Sequence, residues 1–282
     1  MSLESQKNLI CEIGRRIYQK GFVAANEGNL SIRLEDDRVL CTPTLHCKGF
    51  MEPGDLCIVD MDGNQLEGSK KRTSEVLLHL EIYRLRPDVN AVVHCHPPHA
   101  TAFGVAREPI PTCVLPEPDI FLGEVPIAPY ETPGSKDFAS TITRFAKDTN
   151  TIVLANHGTV SYESDLEKAY WMTEILEAYC KILLIAKQLG GINHLPGDKG
   201  RELLELRLAW GFEDSRIDDE QGGRGSHTKF QSSWDLANLE HRAFPPHPDA
   251  RRSSASTEAK FDQSELIERI AERVVEKLNE RS

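Results

Sequence analysis

The sequence is short of the features that mark membrane, secreted and nucleic-acid-binding proteins. It contains no run of about 18 or more apolar residues, so we expect no transmembrane helix. Its start, MSLESQKNLICEIG, has no basic segment followed by an apolar one, so we expect no secretory signal. A formal net charge of -11 makes a phosphate-backbone partner such as DNA or RNA an unexpected general function. These absences favour a cytoplasmic protein that binds neither membranes nor nucleic acids.

Disulfide bonds are a further feature that the sequence does not favour. The seven cysteines are scattered, their number is odd, and no two of them form a CxxC pair. That usage is typical of free thiols in a reducing compartment. Hydrophobic residues make up 39% and charged residues 27% of the 282, which is ordinary for a globular protein. The length allows one large domain, or one domain with an appendage.

Hydrophobic periodicity predicts a sheet covered by helices. A helical N-terminal segment precedes two hairpins, with turns at DD and DGN, and strands and helices then alternate. Leu30, Ile32 and Leu34 alternate with polar residues, which predicts a half-buried strand. Ser164 fits the N-cap of a long helix near the end of this region. The mixture predicts a mixed or antiparallel sheet within a domain of residues 1–212.

Composition changes after about residue 212. Residues 213–257 are rich in Gly, Ser, Pro and charge, which predicts a flexible linker. Residues 258–282 regain an apolar stripe, which predicts an amphipathic helix. Its main positions recur every four residues, at Leu266, Ile270, Val274 and Leu278. A helix of this kind beyond a long linker indicates a binding segment rather than the last element of a core.

Histidines gather in the stretch VVHCHPPH. Side chains two residues apart on a strand share a face, so His94 and His96 lie side by side and Cys95 faces the opposite core. A metal ion would satisfy both imidazoles, and a hydrogen-bonded pair near a strand end is the alternative. His157 ends the apolar strand TIVLANHG and would be the third ligand of a catalytic zinc site. The alternative for it is a backbone-bonded histidine at a strand end.

The remaining histidines receive no ligand role. His99 lies beyond two prolines, so we interpret it as a supporting or structural residue. His46, His79 and His194 stand in less suggestive contexts.

Small polar residues cluster around one predicted helix start. The hydroxyls of Thr73 and Ser74, just before Glu75, would either cap that helix or bind an anion such as phosphate. Two more stretches, NEGNLS and CTPT, would complete an anion cradle, although turns use the same residues. Their candidate residues are Gly28, Asn29, Thr42 and Thr44.

Six segments of the sequence together form a specific pattern: GNLSIR, CTPT, TSE, AVVHCHPPHATAF, VPIAPYETPGS and ANHG. In order and spacing they resemble the class II aldolase/adducin family over roughly residues 5–210. The resemblance implies a three-layer α/β/α fold with a largely antiparallel sheet, in a homotetramer with active sites between subunits. It implies one Zn²⁺ per subunit on His94, His96 and His157, with Glu75 as general acid/base. It also implies phosphate binding by Gly28, Asn29, Thr44, Thr73 and Ser74.

The activity that the resemblance implies is a zinc-dependent aldol cleavage. The substrate would be a deoxyketose 1-phosphate (L-fuculose 1-phosphate or L-rhamnulose 1-phosphate), and the products dihydroxyacetone phosphate and L-lactaldehyde. Two departures stand out: Leu45 replaces a family glycine, and loop 113–126 lacks a tyrosine that helps protonate the aldehyde. A metal-dependent sugar-phosphate dehydratase or decarboxylase of the same family is the enzymatic alternative. A non-catalytic, adducin-like module is the structural one.

The C-terminal helix resembles the encapsulation peptides of bacterial microcompartments. This implies that residues 261–280 bind a shell protein, and that the enzyme lies in the lumen of a microcompartment within the bacterial cytoplasm. The alternative is a helix that packs on its own tetramer or pairs as a coiled coil.

Overall fold

The structure, a computed structural model, describes residues 1–212 and Asp214. The predicted linker, apart from Asp214, and the predicted C-terminal helix lie outside the described residues, so these boundaries stay predictions. Each described helix is too short or too polar to span a bilayer. All seven cysteines are free thiols, as the sequence predicts.

The described residues form six α-helices and eight strands. The N-terminal part forms α1 (Leu3–Gln19), β1 (Asn29–Arg33), β2 (Arg38–Cys41), β3 (Cys57–Asp60), β4 (Gln65–Glu67), α2 (Val76–Leu85), β5 (Ala91–Cys95) and α3 (Pro98–Ala106). The remainder forms β6 (Ile127–Ala128), α4 (Lys136–Ser140), β7 (Thr151–Leu154), β8 (Gly158–Glu163), α5 (Leu166–Gln188) and α6 (Gly197–Ala209). Short helical turns lie at Lys48–Phe50, Pro53–Asp55 and Pro118–Leu122.

The strands form one sheet in the order β4-β3-β2-β1-β5-β8-β7-β6. Neighbouring strands pair antiparallel, except for the parallel pair β6–β7. The predicted hairpins are β1–β2 and β3–β4. In the first turn, Asp36 and Asp37 adopt left-handed backbone angles (φ 58° and 54°), which aspartate tolerates better than most residues. The prediction of a mostly antiparallel sheet is confirmed.

Helices cover both faces of this sheet, which confirms the three-layer α/β/α fold. Helices α2 and α4 pack on one face, and α1, α3 and α5 pack on the other. The prediction that β1 is half-buried is wrong. The strand lies between β2 and β5 with helices on both sides, so Ser31 is as fully buried as Leu30.

Two predicted element ends also need correction. Helix α5 is capped by Asp165 rather than Ser164, because Asp165 is extended and its carboxylate accepts a 2.9 Å hydrogen bond from the Lys168 amide. The strand in TIVLANHG ends at Leu154, and Gly158 opens β8. His157 therefore lies in the tight β7–β8 turn rather than on a strand.

Candidate metal centre

The pairing of β1, β5 and β8 brings the three candidate ligands together. His94 lies on β5 opposite Asn29 of β1, on the face that α2 covers, while Cys95 joins the opposite core. His96 follows β5 directly. Because Cys95 is paired with Thr159 of β8, the turn that carries His157 lies beside His96.

The three imidazoles converge on one point. Their ring centroids lie 4.8–5.1 Å apart, and one nitrogen from each ring lies within 4.8 Å of the others. The Nε2 atoms of His94 and His96 are 3.2 Å apart, so both rings aim the same nitrogen inward.

Hydrogen bonds on the outer side of the rings fix which nitrogen is available. Nδ1 of His94 lies 2.9 Å from the Thr159 carbonyl oxygen, which only accepts, so Nδ1 carries a proton and Nε2 is the nitrogen that is available to a metal ion. Glu27 Oε2 lies 3.4 Å from His96 Nδ1 and favours the same tautomer there. Nδ1 of His157 has no hydrogen-bond partner among the described residues. Three inward imidazole nitrogens are the donor set of a catalytic zinc site that leaves a fourth position open.

Glycine at position 158 allows β8 to begin directly against the His96 ring. A Cβ there would lie 2.4 Å from His96 Cδ2 and 2.6 Å from the Cys95 carbonyl oxygen. No side chain fits in that space, so β8 can begin against the His96 ring only with glycine.

Glu75 faces the same point from the start of α2. Its Oε1 lies 3.2 Å from His157 Nε2, and its Oε2 lies 3.2 Å from His94 Nε2. Burial raises the pKa of Glu75, but the charges and hydrogen bonds of His94 and His157 outweigh burial and hold that pKa well below its ordinary value. The carboxylate is therefore ionised and able to accept a proton.

His96 stays neutral beside this carboxylate. Burial, together with the charges of His94 and His157, lowers the pKa of His96 to about 3, although Glu75 acts in the opposite direction. Neutral imidazole is the form that binds a metal ion.

The predicted phosphate residues meet at the N-terminus of α2. The Thr44 amide donates to the Lys71 carbonyl (2.9 Å) and the Thr73 amide to the Thr42 carbonyl (3.0 Å), so the two segments run side by side. Oγ1 of Thr73 accepts the Glu75 amide at 3.3 Å, which is a local turn bond just before α2, while Ser74 is exposed. Thr44, Thr73 and Ser74 together form a polar, open corner next to Glu75.

The backbone near this corner adopts left-handed angles both at Gly28 and at Leu45, which replaces a family glycine. Leu45 has φ +54°, the left-handed conformation that glycine adopts freely. Gly28 has φ +71°, and a Cβ there would lie 2.9 Å from the His94 carbonyl oxygen. Gly28 therefore allows the chain to enter β1 directly against β5.

Asn29 is placed differently from the other predicted phosphate residues. Its Nδ2 donates to Glu75 Oε2 at 2.7 Å, and its Oδ1 lies 2.5 Å from Nε2 of His79. His79 in turn contacts Ser31, which contacts Tyr83. Sequence reasoning gave His79 no role, although its position four residues after Glu75 puts both on one helix face. That spacing was the signal that could have identified it.

The other described histidines contact protein groups away from the three inward nitrogens. His99 Nδ1 lies 2.6 Å from Glu177 Oε1, and the same carboxylate accepts the Ala100 amide at 2.9 Å. This matches a supporting role at the start of α3. His46 pairs with Asp55 at 3.1 Å, and His194 contacts a backbone carbonyl.

Comparisons with known proteins agree with this architecture. The family model of the class II aldolase and adducin N-terminal domain matches residues 8–184. The crystal structure of YgbL from Escherichia coli superposes with a TM-score of 0.67 and 33% identity, over 71% of this chain and 98% of that one.

Two similar proteins carry different names. The 3-oxo-tetronate 4-phosphate decarboxylase of Haemophilus influenzae is 36% identical over 182 residues, which cover 63% of this chain and 86% of that protein. The L-fuculose phosphate aldolase of Methanococcus vannielii is 37% identical over 173 residues, which cover 61% of this chain and 91% of that protein.

Proposed function

Because the chain belongs to the class II aldolase and adducin family, we propose that it is a metal-dependent lyase that breaks a carbon–carbon bond in a phosphorylated sugar derivative. The observation that carries this proposal is the convergence of three imidazole nitrogens with the Glu75 carboxylate, which lies 3.2 Å from two of them. A non-catalytic adducin-like module would have no need for this buried arrangement.

His94, His96 and His157 would hold the metal ion, which we propose to be one Zn²⁺ per subunit. When bound, such an ion acts as a Lewis acid toward negative charge on the oxygens of the substrate. Bond cleavage leaves an electron pair on the carbon next to a ketone. Glu75, ionised and facing this point, is placed to exchange a proton at that carbon.

The polar corner beside α2 would bind the phosphate group. Thr44, Thr73 and Ser74 offer hydroxyls at a helix N-terminus, where backbone N–H groups and the helix dipole favour an anion. The Gly28 backbone lies nearby at the start of β1. Binding the phosphate there would fix the reacting carbon relative to Glu75.

The first candidate substrate is a deoxyketose 1-phosphate, L-fuculose 1-phosphate or L-rhamnulose 1-phosphate. Its cleavage gives dihydroxyacetone phosphate and L-lactaldehyde. The relative from Methanococcus vannielii that is named L-fuculose phosphate aldolase supports this candidate, since 91% of its length matches this chain.

A second candidate is the decarboxylation of 3-oxo-tetronate 4-phosphate. The Haemophilus influenzae relative with that name supports it, and so does loop 113–126, which contains no tyrosine. Loss of carbon dioxide produces no aldehyde oxygen that needs a proton donor. Both reactions leave the same electron pair beside a ketone, and both give dihydroxyacetone phosphate after protonation at carbon.

A coupled assay for dihydroxyacetone phosphate tests both candidates at once. The full-length zinc-loaded protein is given each of the three substrates, with Glu75→Gln and a chelator-treated sample as controls. Metal-dependent release that is lost in both controls would support the proposal, and the substrate with the highest kcat/KM selects the candidate. A protein that binds no zinc, or that converts none of the three, would contradict it.

We further propose that the protein is a homotetramer. Ile182, Leu184, Ile185 and Leu189 at the end of α5 are 40–83% exposed, and a subunit contact would cover them. Light scattering on a sizing column measures the mass directly. A monomer of 31.6 kDa would contradict the assembly.

Residues 258–282 would direct the enzyme to a microcompartment. The apolar stripe in the sequence supports binding of residues 261–280 to a shell protein, within the lumen of a microcompartment in the bacterial cytoplasm. A fusion of residues 258–282 to a fluorescent protein should form foci in cells that produce the shell. Diffuse fluorescence would count against this location.

A further inference from the structure

A chain of buried polar side chains runs from Glu75 into the core between β1 and α2. Asn29 Nδ2 donates to Glu75 at 2.7 Å, and Asn29 Oδ1 lies 2.5 Å from His79 Nε2. His79 Nδ1 lies 2.7 Å from Ser31 Oγ, which lies 2.7 Å from the Tyr83 hydroxyl. All four supporting side chains are at most 4% exposed.

The chemistry of these groups gives every hydrogen bond a direction. The Asn29 amide nitrogen donates to Glu75, so the amide oxygen of Asn29 faces His79. His79 Nε2 must then carry the proton, which leaves Nδ1 as an acceptor for the Ser31 hydroxyl. Ser31 accepts in turn from Tyr83. One neutral tautomer of His79 satisfies the entire chain.

We propose that Asn29, His79, Ser31 and Tyr83 form a positioning relay that holds the Glu75 carboxylate in its reactive orientation. The role of Glu75 as the proton-transferring group rests on the proposed function. The relay gives the Asn29 side chain a contact with Glu75 that its predicted role in phosphate binding does not explain.

Burying these polar side chains costs free energy, so their presence indicates a role at the site. Buried polar groups lose their hydration, and apolar side chains would pack between β1 and α2 at less cost. Burial, together with the charge of His94, lowers the pKa of His79 to about 3, although Glu75 opposes this. Neutral His79 is what the hydrogen-bond directions require. Ser31 and Asn29 share one face of β1, while His79 and Tyr83 lie four residues apart on α2.

Substitutions at His79 separate positioning from packing. In His79→Leu the Asn29 oxygen loses its donor, and we expect kcat to fall about 10–100-fold, with KM within about threefold and zinc content unchanged. In His79→Gln an amide N–H can replace Nε2–H, so most of kcat should return. Wild-type kcat in His79→Leu, or no recovery in His79→Gln while both variants are folded and zinc-loaded, would overturn the relay.

Two tyrosines offer a matched pair. Tyr83→Phe removes the hydroxyl at the far end of the relay. Tyr162→Phe removes an equally buried hydroxyl that contacts Thr149 and the Ala146 carbonyl at 3.3 Å, outside the relay. We expect kcat to fall a few-fold in Tyr83→Phe and to stay unchanged in Tyr162→Phe. Equal effects of the two variants would overturn the relay.

A spectroscopic readout tests the relay without catalysis. In protein labelled with ¹⁵N-histidine, the Nε2–H signal that is lost in His79→Gln belongs to His79. We expect this signal to exchange slowly and to shift in Glu75→Gln and Tyr83→Phe, but not in Tyr162→Phe. An unchanged chemical shift of this signal in Glu75→Gln would overturn the relay. If the wild-type protein converts none of the substrates but the shifts occur, the proposed function fails while the positioning network stands.

Discussion

The two faces of the central strands β1 and β5 differ sharply in composition. Toward α2 the strands present Asn29, Ser31 and His94, which belong to the candidate centre and its relay. Toward α1 and α5 they present apolar side chains: Leu30, Ile32, Ala91, Val93 and Cys95. Neighbouring residues of one strand therefore belong to two different environments.

This difference separates chemistry from stability within one sheet. On the α2 side, the side chains of Asn29, Ser31, His79 and Tyr83 all have hydrogen-bond partners, which offsets the cost of burying them. On the α1 side, burial of apolar area provides free energy without any polar cost. The reactive groups can be held on the α2 side because apolar clusters on both faces stabilise the same sheet.

Removal of the Glu75 charge should give the largest change. Glu75→Gln keeps the shape of the side chain but cannot take a proton, so we expect kcat to fall about 10²–10⁴-fold. Zinc content and the unfolding midpoint serve as controls, because the three histidines remain. Activity within tenfold of the wild-type value would mean that Glu75 is not the proton-transferring group.

Matched core truncations on the two faces should separate stability from activity. Ile13→Ala on α1 and Leu80→Ala on α2 each remove a fully buried side chain, and each should lower the free energy of unfolding by about 2–5 kcal/mol. Leu80 directly follows His79, so Leu80→Ala should also lower kcat, while Ile13→Ala should not. Urea unfolding and kcat per zinc-loaded subunit are the measurements. A loss of kcat in Ile13→Ala would contradict the comparison.

Much of this two-sided design could be predicted from the sequence. The alternation in VVHCHP places His94 and His96 on one face and Cys95 on the other, and the structure has this arrangement. The hairpins and the antiparallel sheet follow from turn residues and period-two patterns. Convergence of His157 on the same point depended on its position at the end of an apolar segment.

Burial of β1 on both faces and the partners of Asn29 could not be predicted in the same way. Ser31 looks like a solvent-facing residue because hydroxyl side chains usually are, and its partners lie 48 and 52 residues away. Which side chain Asn29 contacts depends on the register of β1 against β5 and on the placement of α2. Neither is encoded in local periodicity, so the relay became visible only in three dimensions.

Gly158 tests how tightly the reactive face is packed. In Gly158→Ala the new methyl group would meet His96 Cδ2 and the Cys95 carbonyl oxygen at 2.4 and 2.6 Å. We expect a loss of about 1–3 kcal/mol in the free energy of unfolding from overpacking, together with weaker zinc binding because His96 must move. Gly54→Ala is the control, since its Cβ would meet nothing within 4 Å. Unchanged zinc affinity in Gly158→Ala would contradict this view of the site.

Lys48 is a buried charged residue on the largely apolar α1 side, and its substitution gives the smallest expected effect at neutral pH. It is 1% exposed, and its backbone packs on Gly14 of α1. Its ammonium donates to the Asn26 carbonyl at 3.0 Å and also to the His46 carbonyl. Burial lowers the pKa of Lys48 from 10.5 to about 8, although Cys47 and Glu75 raise it. Between these pH values the unfolded chain still binds a proton that the folded chain has lost, so raising the pH favours folding.

A comparison with Lys48→Met isolates this contribution from the other titrating groups. The difference in unfolding free energy, wild type minus variant, should be flat below pH 8, rise between pH 8 and 10.5, and be flat above that range. At pH 7 the net change should be about 1 kcal/mol or less, since the variant avoids burying a charge but loses hydrogen bonds to two carbonyls. Urea unfolding at several pH values measures the difference. A difference that does not rise with pH would mean that Lys48 keeps its proton when folded, and the apolar face would then tolerate a buried charge.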